Sequence, residues 1–190
     1  MKKVLFATTN SNKISRLKNF LKDEEVEILS LSDLDYQINE PEEIGNTPVE
    51  IAVNKAKHYW DNLKLKMPVI AQDDTIEFFD VPELSTPRLS IKKPVTEKYS
   101  EFNDDNAIKF YTELAKKYGG KISMRFNYGF GLCDVNTTVG KDATLSCVLV
   151  NEVSKTVNPG YFLTAIIKLI VDNEDVFYSE MTSEQQAIAD

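Results

Sequence analysis

A chain of 190 residues with 42% hydrophobic and 27% charged residues has the length and composition of a soluble globular protein that buries a sizeable core. Its formal net charge of -8, with no long basic run, argues against nucleic acid as a partner, because a phosphate backbone needs a concentrated positive patch. A small phosphorylated ligand stays open, since a divalent cation offsets local negative charge. The apolar run Val4–Ala7 after Lys2-Lys3 is too short for a signal-peptide core, and no apolar run reaches transmembrane length, so the expectation is a cytoplasmic protein without membrane contact.

The first third of the chain reads β-α-β, with a strand near 3–8, a helix near 13–21 and a strand near 26–30. Between the first two stands Thr8-Thr9-Asn10-Ser11-Asn12-Lys13. A loop of hydroxyl and amide side chains, ending in a lysine at a helix start, is suited to phosphate: the helix terminus offers N–H groups and Lys13 adds charge. The same residues also serve as ordinary helix caps. A polar, acidic loop follows around 39–46 and carries Glu42-Glu43. Thr47-Pro48-Val49-Glu50 then spells a capping box with proline at the first helical position, and Ile51, Ala52, Ala56, Tyr59, Trp60 and Leu63 mark one helical stripe. Lys55 falls inside that stripe, where a lysine must snorkel, pair with an acid or face a polar cavity. The only histidine, His58, falls on the polar face and is expected to be solvated.

Pro68-Val69-Ile70-Ala71 predicts a short buried strand that ends at Gln72-Asp73-Asp74-Thr75, and Ile76–Phe79 predicts a second. Ligands of α/β folds commonly sit beyond strand carboxyl ends. Asp73 and Asp74, together with Glu42 and Glu43, would make a hard-cation site for Mg²⁺ completed by water and substrate phosphate. Each acidic pair taken alone also fits a solvated turn. Glu77 and Asp80 have weaker context. Residues 82–100, with Pro82, Pro87 and Pro94, read as an irregular loop exposing Arg88, Lys92 and Lys93. A helix spans Ala107 to Ala115 and stops at Gly119-Gly120, strands dominate from Lys121 to about Val153, 160–171 is apolar and ambiguous, and Thr182–Asp190 predicts a short terminal helix. Gly129-Phe130-Gly131 lacks the rest of a dinucleotide fingerprint and reads as a bulge or bend. Cys133 and Cys147 lie in apolar strand-like stretches and read as small buried hydrophobes of a reducing compartment.

Three segments carry a resemblance. Thr8-x-Asn10-x-x-Lys13, then Glu42-Glu43-x-Gly45 leading to Glu50-Ile51-Ala52-Val53-Asn54-Lys55-Ala56, then Val69-Ile70-Ala71-x-Asp73-Asp74-Thr75, resemble in order and spacing the inosine/xanthosine triphosphate pyrophosphatases. The resemblance implies one α/β domain over 1–190, elongated and two-lobed, with a long central mixed sheet flanked by helices. It further implies a homodimer that uses Mg²⁺ to cleave a nucleoside triphosphate to monophosphate and pyrophosphate. On the matching positions Thr8, Asn10, Lys13, Lys55 and Thr75 would hold the triphosphate. Glu42 or Glu43, with Asp73 and Asp74, would bind metal, and Asp74 would activate the water. The departures lie where the base should be read. Asn158-Pro159-Gly160-Tyr161-Phe162 has no Asp-Pro after its aromatic residues, Gln185 stands near a lysine position, and Ser-His-Arg is missing before Ala189-Asp190. Phe162 is the candidate to stack on the base, and specificity is expected to be relaxed or altered. Two other readings keep the phosphate half: a non-catalytic nucleotide-binding or protein-interaction homologue, and a phosphatase for another metabolite.

Overall fold

The structure, a computed structural model, describes residues 2–84, 90–171, 174–182 and 185. Among these the chain runs β1 (Lys2–Phe6), α1 (Ser11–Phe20), β2 (Val26–Ser30), α2 (Pro48–Asn62), β3 (Val69–Phe78), α3 (Lys93–Tyr99), α4 (Asp104–Lys117), β4 (Lys121–Cys133), β5 (Thr138–Val150), β6 (Ile167–Val171) and β7 (Glu174–Phe177). The strands form one mixed sheet in the order β2-β1-β3-β4-β5-β6-β7. β1 pairs in parallel with β2 and with β3, while β6 is antiparallel to both β5 and β7. The expected α/β class with a mixed sheet and flanking helices is therefore present. No helix among the described residues is long and apolar enough to cross a membrane.

Two compact units divide the chain, Met1–Asp74 with Asn127–Ala143, and Thr75–Phe126 with Thr144–Asp190. In the first, Leu5, Ala7, Ala56, Tyr59, Leu63, Val69, Ala71 and Cys133 form a buried cluster, flanked by Leu29, Leu31, Leu34 and Trp60. The helical stripe read from the sequence is the face that α2 buries. In the second, Tyr111 of α4 is wholly buried, stacks on Phe78 at 5.7 Å between ring centroids and on Phe162 at 5.7 Å, and donates its hydroxyl to the Ile91 carbonyl at 2.9 Å. Both cysteines are free and buried, as expected, and burial pushes the Cys147 thiol up to about 12.

Four expectations are corrected. The two strands predicted around Asp73-Asp74 are one continuous strand, β3. Its buried positions are Val69 and Ala71 before the acidic pair and Ile76 and Phe78 after it, so the apolar alternation changes phase and mimics a break. The loop expected over 82–100 contains α3, because Pro94 stands in a helical first turn, where its missing N–H costs nothing. That helix ends at Ser100, whose φ of 63° is left-handed. The ambiguous stretch 160–171 resolves into a 3-10 turn, Phe162–Ala165, and β6. Pro87 and Arg88 lie outside the described residues, as does the expected terminal helix apart from Thr182 and Gln185.

The fourth correction concerns Gly129 and Gly131, which lie within β4 as the seat of α2. A Cβ added to Gly129 would lie 2.1 Å from the carbonyl carbon of Pro48, and one on Gly131 would lie 2.4 Å from that of Ala52. On β5, a Cβ at Gly140 would stand 2.5 Å from Val49. The helix backbone thus rests directly on the strand, a contact only glycine permits. Gly131→Ala should therefore lower unfolding stability by about 1–3 kcal/mol or more, the usual scale of overpacking. A fall in the urea midpoint without a change in slope would show it.

Candidate active site

The end of β1 leads into α1 through a turn in which the Thr8 N–H donates to the Phe6 carbonyl at 2.8 Å. Thr8 Oγ1 accepts from the Asn10 N–H at 3.1 Å, and Asn10 Oδ1 accepts from the Lys13 N–H at 3.3 Å. Asn10 thus caps α1 while presenting its amide at the helix start, and a threonine hydroxyl that accepts one bond still has a proton to donate. The cap also fixes where the Lys13 side chain departs. That side chain forms an ion pair with Asp74 on β3, with both groups about a third exposed. Thr8, Asn10, Lys13 and Asp74 are therefore brought together by the parallel β1–β3 pairing.

The α2 capping box forms, with one modification. Thr47 Oγ1 accepts from the Glu50 N–H at 3.2 Å, but the Glu50 carboxylate reaches one residue further back and accepts from the Asn46 N–H at 2.6 Å. The acidic loop is thereby tied to the helix start. At Gly45, where φ is 143°, a Cβ would meet Glu50 Cβ at 2.8 Å, so the loop lies in direct contact with α2. Lys55 is half-buried on α2, 3.9 Å from Glu40 of the loop. Of the three environments open to this lysine, the structure shows pairing with an acid.

Asp73 is the electrostatic centre of the group. Its carboxyl is held above the usual range, first by burial and then by the negative charges of Glu43 and Asp74; Lys13 and Lys55 offset only part of this. Both loop acids are exposed, and Glu43 is the one whose charge acts on Asp73. Among the described residues, no three acidic, histidine or cysteine side chains stand close enough to enclose a metal ion. Thr75 follows on β3, Glu77 is taken by Arg125 at 2.6 Å, and Asp80 is exposed with a φ of 61°. Phe162, the expected base stacker, lies in the second unit with 4% of its surface exposed, stacked on Tyr111 and edge-on to Phe102 at 5.9 Å. A base would reach that ring only by displacing its neighbours.

Two residues with a place here were not singled out by sequence reasoning. Asn54 Nδ2 donates to the Ile44 carbonyl at 2.8 Å, and His58, expected to be solvated, is half-buried with Nε2 2.8 Å from the Asn39 carbonyl. A carbonyl only accepts, so Nε2 carries the proton. The acidic loop meets this face at His58 and Asn54 while Glu50, Asn54 and Lys57 stay exposed, so His58 is partly covered rather than fully solvated. The i, i+4 spacing of Glu50, Asn54 and His58, next to a loop without regular structure, was the available signal.

Fold and side chains together define an α/β protein that sets a capped helix start and Lys13 at the end of β1 against Asp73 and Asp74 in the middle of β3. The chain belongs to the Ham1 family, whose model matches residues 4–187. It is 37% identical over 75 residues to a dITP/XTP pyrophosphatase of Caldanaerobacter subterraneus subsp. tengcongensis, a match covering 40% of this chain and only 36% of that relative. It is 29% identical over 146 residues to a dITP/XTP pyrophosphatase of Oceanobacillus iheyensis, covering 70% of this chain and 72% of the other. The fold is similar to that of a HAM1 protein from Coxiella burnetii, with a TM-score of 0.71 at 19% identity over 100% of this chain and 92% of that one. The family resemblance read from the three motifs is borne out.

The raised Asp73 carboxyl has a consequence for stability. The folded state holds the Asp73 proton more tightly than the unfolded chain does, so ionisation costs the folded state stability as pH rises from about 3.9 through the raised value, and the loss persists at neutral pH. Without divalent cation, Asp73→Asn should raise the melting temperature at pH 7, with the gain shrinking toward zero below about pH 4. Thermal denaturation of both proteins across this range checks it.

Proposed function

We propose that this chain is a nucleoside triphosphate pyrophosphohydrolase acting on non-canonical purine nucleotides, working as one domain over 1–190. The observation that carries the reading is the Lys13–Asp74 ion pair beside the β1–α1 turn, with half-buried Asp73 next to it on β3. Its support beyond the structure is membership of a family in which the dITP/XTP pyrophosphatase relatives align.

Mg²⁺ fits the donor set. Mg²⁺ takes oxygen ligands and is usually held by one or two carboxylates plus substrate phosphates and water, so a closed protein cage is not required. Asp73 is a half-buried carboxyl strained by Glu43 and Asp74, a local excess of negative charge that a divalent cation relieves. Asp73, Asp74 and Glu43 would hold the ion, which would supply neutralisation of the phosphoryl oxygens.

The chain's own groups then have defined tasks. Lys13 and Lys55 bind the triphosphate oxygens, with Thr8, Asn10 and Thr75 donating around them. Asp74 is released from Lys13 when that lysine turns to phosphate, and it accepts a proton from the attacking water. The water oxygen bonds to the α-phosphorus, the bond from that phosphorus to the bridging oxygen breaks, and pyrophosphate leaves. The accompanying expectations are a homodimer and a cytoplasmic location; the two free, buried cysteines accord with a reducing compartment.

Incubation with ITP, XTP, dUTP, GTP and ATP in the presence of Mg²⁺, with assay of released pyrophosphate, tests this directly. Asp74→Asn should abolish most turnover while leaving the fold intact, and Lys13→Ala should chiefly raise KM. No turnover of any triphosphate by folded protein rejects the reading. Mg²⁺-dependent binding without pyrophosphate release marks a non-catalytic binder, and release of orthophosphate marks a phosphatase.

Base discrimination should be weak. Phe162 is packed away, and Gln185 is turned to capping: its Oε1 accepts from the Thr182 N–H at 2.9 Å while its N–H donates to Thr182 Oγ1 at 3.2 Å. A pocket without polar readers discriminates by about 10–200-fold at most. The kcat/KM ratio of ITP or XTP over ATP should fall below about 200. A ratio of thousands would show that other polar groups read the base.

A further inference from the structure

The acidic loop is attached to one stripe of α2 by contacts that run in opposite order along the two segments. Asn39 meets His58, Glu40 meets Lys55, Ile44 meets Asn54 and Asn46 meets Glu50. Between residues 58 and 54 the helix advances only about 6 Å, whereas the chain from 39 to 44 can extend to about 17 Å. That slack is available to Pro41-Glu42-Glu43, which lie between the pinned residues Glu40 and Ile44. The loop is thus an arch fastened at both feet, with Glu43 one residue from the foot at Ile44. The segment makes no regular secondary structure between 37 and 45, so side chains of α2 set its position.

We propose that Asn54 and His58 are positioning residues that hold this arch and so set Glu43 against Asp73 for the divalent cation. This rests on the reading of those acids as the cation site. Neither residue touches the triphosphate or the cation. Each donates one hydrogen bond to a backbone carbonyl, Asn54 to Ile44 and His58 to Asn39. Both bonds are independent of the identity of the loop side chains. His58 is also held edge-on to buried Tyr59 at 5.4 Å, which fixes the imidazole plane and aims Nε2 at the loop. Lys55 and Glu50 contribute to the same attachment, but they also serve phosphate and the cap, whereas Asn54 and His58 have no other contact in the site.

The test uses the full chain with Asn54→Ala and His58→Phe combined, and His58→Gln as the variant that restores an amide donor. Amide hydrogen exchange over 39–46 and Mn²⁺ affinity by calorimetry are read without turnover, and the Mg²⁺ concentration for half-maximal pyrophosphate release is read with it. The double variant should exchange about tenfold or more faster over 39–46, the scale of two lost hydrogen bonds, with exchange in β1 and β3 unchanged. It should bind Mn²⁺ about tenfold more weakly and need correspondingly more Mg²⁺, with kcat at saturating Mg²⁺ within about threefold of the parent. His58→Gln should recover most of the loss that His58→Phe causes alone. Unchanged Mn²⁺ affinity and loop exchange in the double variant overturn the inference while leaving the hydrolase reading intact. A parent protein that binds Mn²⁺ and shows these shifts, but hydrolyses no triphosphate, overturns the hydrolase reading and leaves this one standing.

Discussion

The contact between the backbone of α2 and the glycines of β4 is the constraint on which the first unit depends. Helices normally pack on sheets through a layer of side chains on both surfaces. Here Gly129 and Gly131 remove that layer on the strand side, and Gly140 removes it on β5 beneath Val49 and Val53. A helix lowered in this way is held in register with the strand, because Pro48 and Ala52 each sit over a single missing Cβ. Everything the site draws from α2 inherits that register: the Thr47 cap, the Glu50 hold on Asn46, and Lys55. Further along the same side the helix buries Ala56, Tyr59 and Leu63 with Leu5, Val69 and Ala71, and so is tied to the strands that deliver Thr8 and Asp73.

On this rigid base stands a group of charges that do not suit one another. Burial and two neighbouring carboxylates hold the Asp73 carboxyl above its ordinary range, and two lysines compensate only in part. Such an arrangement works against the stability of the free protein, and it persists because the surrounding elements are held by contacts unrelated to it. Local strain of this kind is expected where a ligand is to supply the missing charge. Elsewhere in the molecule charges are paired for stability instead. Glu83, held by Lys117 and Tyr118, has its carboxyl drawn down to about 2, and Glu113 is lowered by Lys98.

Local patterns in the sequence carried much of the fold. The capping box and stripe of α2 were legible because each is written in neighbouring residues, and β2 matched its expected span, Val26–Ser30. What local pattern could not convey was a change in which side of a strand is buried. Asp73-Asp74 interrupts the alternation of β3 at that change, so one strand read as two. Gly129 and Gly131 were visible, but their purpose lay in a helix some 80 residues earlier in the chain, and a strand glycine by itself says only that something approaches or bends. The site was legible where a motif places a residue at an element's end, as at Asn10 and Lys13. It was not legible for Asn54 and His58, because their partners are backbone carbonyls and leave no mark in the loop's side chains.

The pairing of Lys13 with Asp74 joins these themes. Both groups are about a third exposed, and ion pairs in such settings contribute about 0–1 kcal/mol, so the contact is no structural anchor. It leaves Asp74 neutralised in the free protein by a cation on a flexible four-carbon stem, mounted on a helix with no fully buried residue among those described. Asp73, by contrast, is half-buried on a strand next to β1, with no comparable freedom. The mobile charge therefore belongs to the lysine and the fixed charges to the acids. On the proposed function, a polyphosphate would compete for Lys13 at small cost, and each lysine drawn away would leave the carboxylates with more unbalanced charge and a stronger hold on a divalent cation. Binding of phosphate and of cation would then be coupled through that exchange. The coupling needs no movement of the sheet, only a single side chain turning from one anion to another.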